Sequence, residues 1–198
     1  DVRSGLALID LQLSMRRFDD AIETAKAIAS KFLESISAQI GLGRAYLAAG
    51  DAKGARGPFQ DATKLAQFNA DLLVGIGRLQ LAAGNPDGAA YCVQKALQGQ
   101  PDHLGTLALS VDVEVGRRDM AKADAAAKVL ASKYPDRAET YLATAAVALG
   151  KGQFAVGATA LRTALAKKPN SAIAVGLASA LSMAGESGKA IESLESWL

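Results

Sequence analysis

The sequence predicts an all-α solenoid built from about six helix–turn–helix units. Three observations predict it. First, Pro101, Pro135 and Pro169 stand 34 residues apart, with Gln67 and Leu33 at the equivalent places earlier in the chain. Second, small residues hold one phase throughout: Ala21, Ala55, Ala89, Ala123 and Gly157 at steps of 34, then Ala190 after a step of 33. Third, a short polar or glycine-containing turn precedes each of them. A fixed period of this size marks a tandem helical repeat, in which no single unit can bury its apolar face alone.

The units fall at 2–35, 36–69, 70–103, 104–137, 138–170 and 171–198, the fifth one residue short and the sixth stopping before its closing loop. In the first, the turn is Arg16-Arg17-Phe18. In the second, residues 36–49 have a helical pattern, Gly50-Asp51 breaks it and 52–66 resumes it. Gly50 suits a helix C-cap, because it reaches a left-handed conformation without a Cβ clash, and Asp51 suits the N-cap of the next helix. Gly57-Pro58 inside that second helix removes a backbone hydrogen bond and predicts a kink. The third unit turns at Gly84-Asn85-Pro86, with Asn85 as N-cap and Pro86 in the first helical turn. The fourth turns at Arg118-Asp119-Met120, the fifth at Gly152-Gln153-Phe154 and the sixth at Gly185-Glu186-Ser187. Proline resists continuing a helix, so the Pro-containing loops close the units.

Composition excludes several classes. Half of the 198 residues are hydrophobic and 21% are charged, which is too apolar for a disordered chain. A net charge of +2 leaves no basic footprint for nucleic acid. One Cys and one His cannot form a disulfide framework or a Cys/His zinc site, and no metal or cofactor is expected. No uncharged run reaches the roughly 18 residues of a membrane-spanning helix. No signal peptide is visible, and a start at Asp1 predicts a piece of a longer protein.

The period, with Gly43, Tyr46, Ala55, Phe59 and Ala62 in the second unit and Gly77, Ala89, Ala96 and Pro101 in the third, resembles the tetratricopeptide repeat. The resemblance covers essentially the whole chain. It is looser in the fourth and fifth units, where Ser110, Val111, Leu130 and Thr144 depart from the family's preferences. It implies a right-handed superhelical α-α solenoid, a single array over residues 1–198, with first helices lining a concave groove and second helices on the convex side. Small residues at the packing positions allow helix axes to approach toward the near end of the 8–10 Å range.

Catalysis is not expected. His103 reads as a solvated loop residue after Pro101, and Cys92 as a partly buried, inert thiol with Lys95 nearby. Asp19-Asp20 suits the opening turn of a helix, and Glu192 with Glu195 reads as a solvated face. Gly41-Leu42-Gly43 has no strand–loop–helix context and is read as helix packing.

The expected function is a non-catalytic scaffold that binds a peptide or helix of a partner protein. In the family, the fifth, ninth and twelfth positions of a unit face the groove. Here the fifth are Leu6, Ile40, Val74, Ala108, Leu142 and Val175, and the twelfth are Leu13, Leu47, Leu81, Val115, Leu149 and Ser182. The first helices are thus apolar nearly all round, which predicts cover on both sides, either by a partner or by neighbouring helices. The ninth positions include Asp10, Arg44, Arg78 and Asp112. The two arginines read either as an anchor for a partner's carboxylate or as halves of the inter-helix pairs Asp10–Arg44 and Arg78–Asp112. Ile40, Leu47, Val74 and Leu81 are the candidate apolar contacts. The lysine- and asparagine-rich clamp with which some family members hold peptide C-termini is missing, since Ile40, Val74, Arg44 and Arg78 occupy its places. That departure favours an amphipathic helix or a largely apolar extended peptide.

The last helix carries Leu194, Trp197 and Leu198 on an apolar face. Further repeats or another copy would cover it, because repeat arrays need polar caps. The alternative function is therefore a rigid spacer or self-association segment of a larger envelope protein. The Ala-, Gly- and Leu-rich texture resembles bacterial envelope repeat proteins, some of them lipoproteins linked to exopolysaccharide and protein-sorting systems. The compartment this implies is the envelope or periplasm, with the cytoplasm as alternative.

Overall fold

The structure, a computed structural model, describes residues 1–197, so Leu198 lies outside the described residues. The described residues form twelve helices and no strand, in two compact units that divide after Pro101. The first unit holds α1 (Val2–Ser14), α2 (Phe18–Lys31), α3 (Ile36–Ala48), α4 (Ala52–Leu65), α5 (Ala70–Ala82) and α6 (Pro86–Gly99). The second holds α7 (Leu104–Gly116), α8 (Met120–Lys133), α9 (Ala138–Gly150), α10 (Phe154–Lys167), α11 (Ser171–Met183) and α12 (Ser187–Glu195). Helices pair in order, α1 with α2 through α11 with α12, and within each unit pairs stack on their neighbours. The all-α repeat reading therefore holds.

The turn inside each pair is closed by backbone chemistry. At Gly50, φ is +83°. Its N–H donates to Leu47 O at 3.0 Å, and the Asp51 N–H reaches back to Tyr46 O at 2.9 Å. This double bond pattern satisfies the last carbonyls of α3 and requires the left-handed region that glycine enters freely. The same geometry recurs at Arg16 and Arg118, where φ is 57° and 60° although neither residue is glycine. The next helix then starts from a capping side chain. Asp51 Oδ1 accepts from Gly54 N at 2.7 Å, and Asn85 Oδ1 accepts from Gly88 N at 3.1 Å.

First helices also start from caps: Ser35 on α3, Asn69 on α5 and Asn170 on α11. α7 uses His103, and this corrects the reading of His103 as a solvated loop residue. Its Nδ1 accepts from Thr106 N at 3.3 Å and lies 2.9 Å from Thr106 Oγ1, which leaves the ring half-buried. Pro58 sits inside α4 without ending it.

The core is made of small residues against large ones. Ala21, Ala55, Ala89 and Ala123 are fully buried. Gly43 lies under the buried Phe59 ring, so close that a methyl group there would overlap it. In the first unit Phe59, Leu73, Ile76 and Cys92 form one cluster across α4, α5 and α6, while Ile9, Ala21, Ala25 and Ala45 form another across α1, α2 and α3. In the second unit Leu161, Ala164, Ile173, Leu177 and Leu181 join α10 to α11.

Candidate interaction site

Each first helix of the first unit shows solvent a stripe of residues three, four or seven apart, the spacing that keeps side chains on one helical face. On α1 it is Arg3, Ala7, Asp10 and Ser14. On α3 it is Ser37, Arg44 and Ala48, and on α5 it is Asp71, Gly75, Arg78 and Ala82. The face is therefore floored mainly by Gly, Ala and Ser, with charged residues standing out of it and Leu11 of α1 and Leu72 of α5 exposed along its edge. Small residues there would let a partner's backbone come close.

The structure brings Asp10 and Arg44 together. Arg44 Nη2 lies 3.1 Å from Asp10 Oδ1, linking α1 to α3, with the two side chains 51% and 56% exposed. An ion pair so open to water adds little stability. Arg78 is exposed one repeat further on. Asp112 belongs to the second unit, where it is half-buried on α7.

The four apolar candidates are placed differently from the charged ones. Ile40 and Leu47 are half-buried and pack on the cluster around Phe59, Leu73 and Ile76. Val74 is buried, and Leu81 is half-buried. Their apolar area is largely turned toward neighbouring helices, which the sequence pattern could not separate from a groove lining. Conversely, composition gave no hint that the exposed stripe is so rich in small residues, because every first helix reads as apolar overall.

Cys92 is more deeply buried than expected, with no exposed surface and its Sγ 3.3 Å from Thr63 Oγ1. Burial pushes its thiol pKa up, and the Thr63 hydrogen bond and Lys95 only partly oppose this. Lys95, noted beside it in the sequence, donates to Thr63 O at 3.0 Å and so caps the end of α4. Asp20 pairs with Arg17 at 2.7 Å. Among the described residues no group of three or more His, Cys, Asp or Glu side chains could hold a metal ion. No described helix is long and apolar enough to cross a membrane.

Comparison with known proteins gives a consistent result. Solved structures of the same fold include a tetratricopeptide repeat protein from Parabacteroides merdae, with TM-score 0.73 and 14% identity over 99% of this chain and 77% of that one. They include PilW, a widely conserved type IV pilus biogenesis factor, with TM-score 0.61 and 12% identity over 97% and 90%. They also include YrrB, described as a TPR protein with an unusual peptide-binding site, with TM-score 0.51 and 16% identity over 87% and 89%. At such identities the likeness concerns the fold alone. No curated protein matches the sequence. The tetratricopeptide repeat family model matches residues 6–70 and 142–198, more than half of the sequence, and the chain belongs to that family.

Proposed function

We propose that this chain is a non-catalytic protein-interaction module whose first-helix face in the first unit receives a peptide or helix of a partner protein. The observation that carries this reading is the exposed Asp10–Arg44 pair on a floor of small residues. Because water already weakens that pair, Arg44 can exchange Asp10 for a partner's carboxylate at small cost, and its planar fork suits two-point recognition. Arg78 supplies a second charge at the same register. The half-buried edges of Ile40, Leu47 and Leu81 supply apolar contact. The peptide-binding description of YrrB supports the use of this fold for such a purpose.

Affinity capture from a lysate of the source organism tests it, with the wild-type chain and the Arg44→Glu, Arg78→Glu double variant run in parallel. Circular dichroism establishes that both fold. A protein caught by the first and lost by the second is the expected result. Equal capture by both overturns the assignment of the face.

A second reading, self-association within a larger envelope protein, is favoured by one observation. Leu161 and Ala164 on α10 are 7% and 0% exposed, whereas Leu194 and Trp197, 33 residues later, are 37% and 38% exposed. Sedimentation across a concentration series would show a dimer that Leu194→Glu and Trp197→Glu remove. A concentration-independent monomer ends this reading.

A further inference from the structure

The first unit also contains a polar cleft between α4 and α6, which the first-helix face does not involve. Its volume is about 300 Å³. That is the lower end of the roughly 300–1,000 Å³ usual for ligand sites. Gln80, at the end of α5, lines it and is 1% exposed.

Two hydrogen bonds fix how the amides in this cleft are turned. Asn85 is the N-cap of α6, so its Oδ1 must face the Gly88 N–H, at 3.1 Å. Its Nδ2 is then the donor to Gln80 Oε1, at 2.9 Å. Gln80 therefore keeps its own Nε2 on the opposite side. Among the described residues nothing accepts from that nitrogen, and it is not one of the polar atoms sealed from the surface. Gln80 lines the cleft, so an oxygen acceptor of a ligand seated there can take this unspent donor. Gly88 makes the arrangement possible: a Cβ there would come within 2.5 Å of Asn85 Nδ2 and 2.8 Å of Gln80 Cδ.

A second donor is held beside it. Arg56 of α4 donates from Nη2 to Gly84 O at 3.0 Å and from Nε to Ala83 O at 3.4 Å. These two carbonyls hold the guanidinium in place and leave its Nη1 without an acceptor among the described residues. The preorganised groups of the cleft are thus donors, and they call for an oxygen acceptor. The exposed Gln60 amide can accept from the same ligand, and Tyr91 adds an aromatic wall. Charge argues against an anion. Asp87 also lines the cleft, and the Ala83 and Gly84 carbonyls bound by Arg56 stand just past the C-terminal, negative end of α5.

We propose that this cleft binds the main chain of an extended, uncharged peptide segment, its carbonyl oxygen accepting from Gln80 Nε2 and Arg56 Nη1 and its N–H donating to Gln60. The site is independent of the face assigned to the partner above, and either can fail without the other.

Nuclear magnetic resonance titration of the whole chain tests it. The probes are N-acetyl-triglycine amide, which offers only main-chain amides, and acetate, which offers only a carboxylate. Saturable shifts of the Gln80 side-chain amide and the Gly88 N–H with the peptide probe are expected, and none with acetate. Gln80→Met should weaken the peptide probe about tenfold, the size expected for losing one well-placed hydrogen bond with its partner left unpaired. Gly88→Ala should do at least as much by displacing the Gln80 amide. If that variant does not fold, the exposed Arg56→Met carries the same test. No saturable shift, shifts unchanged in Gln80→Met and Arg56→Met, or acetate binding at these groups would each overturn the proposal.

Discussion

Gly43 and Gly75 are both helical glycines, and a methyl group would act on them in opposite ways. At Gly43 it would meet the fully buried Phe59 ring, which has no space to withdraw into. Gly43→Ala should therefore cost about 1–3 kcal/mol, the range for overpacking a filled core. At Gly75 a methyl group would find no atom within 4 Å. There the lower backbone entropy of alanine decides, and Gly75→Ala should stabilise by about 0.5–1 kcal/mol. Urea unfolding of the two variants checks both signs, and the same sign for both would refute the packing account. The sequence marked Gly43 through its repeat register but gave Gly75 no separate meaning. The distinction depends on what stands opposite each residue.

At the scale of the element, helix ends show how much is legible along the chain. Gly50, Asp51, Gly84, Asn85 and Pro86 announced their roles because cap and turn geometry depends on the chemistry of adjacent residues. His103 did not, since histidine is an uncommon cap and only the placed ring shows its Nδ1 accepting from Thr106 N. His103→Ala should lower stability by about 1 kcal/mol, whereas His103→Asn should keep most of it. Thermal unfolding of the two variants provides the measurement; equal losses would mean that α7 does not depend on this cap. Arg16 and Arg118 show the same limit. They occupy left-handed positions that glycine fills in the other four turns, so the turn is imposed there by the packed helices on either side rather than by the residue.

At the scale of the molecule, the two units should answer acid differently. Asp119, Asp124 and Asp136 all lie in the second unit, and each has its pKa held below the usual carboxylate range. For Asp119 the chief cause is the Lys122 backbone N–H. For Asp124 it is Lys128 with Lys151, and for Asp136 it is Lys167. A carboxylate that binds protons less readily folded than unfolded contributes stability above its unfolded pKa of about 3.9 and loses it as pH falls further. Lys122 and Lys167 have raised pKa values, so their contribution holds below about 10.4 and fades above it. These groups are exposed, so the effect is modest and salt should reduce it. Hydrogen-exchange protection factors measured at about pH 6 and pH 3 should fall more in α8, α9 and α10 than in α2, α4 and α6. A uniform fall would rule out these pairs as the cause.

The sequence by itself determined the helical class, the repeat period, the phase of the small residues and most of the turns. Each of these is a constraint between residues a few positions apart, or a pattern that recurs because every unit solves the same packing problem. Tertiary structure alone decided which sides of the first helices remain open. It turned Ile40, Leu47 and Val74 toward neighbouring helices, joined Asp10 to Arg44 across a full repeat, and locked Gln80 through Asn85 while leaving one donor unspent. An apolar residue on a helix reads the same whether water or another helix faces it. Only the approach of segments distant along the chain settles which.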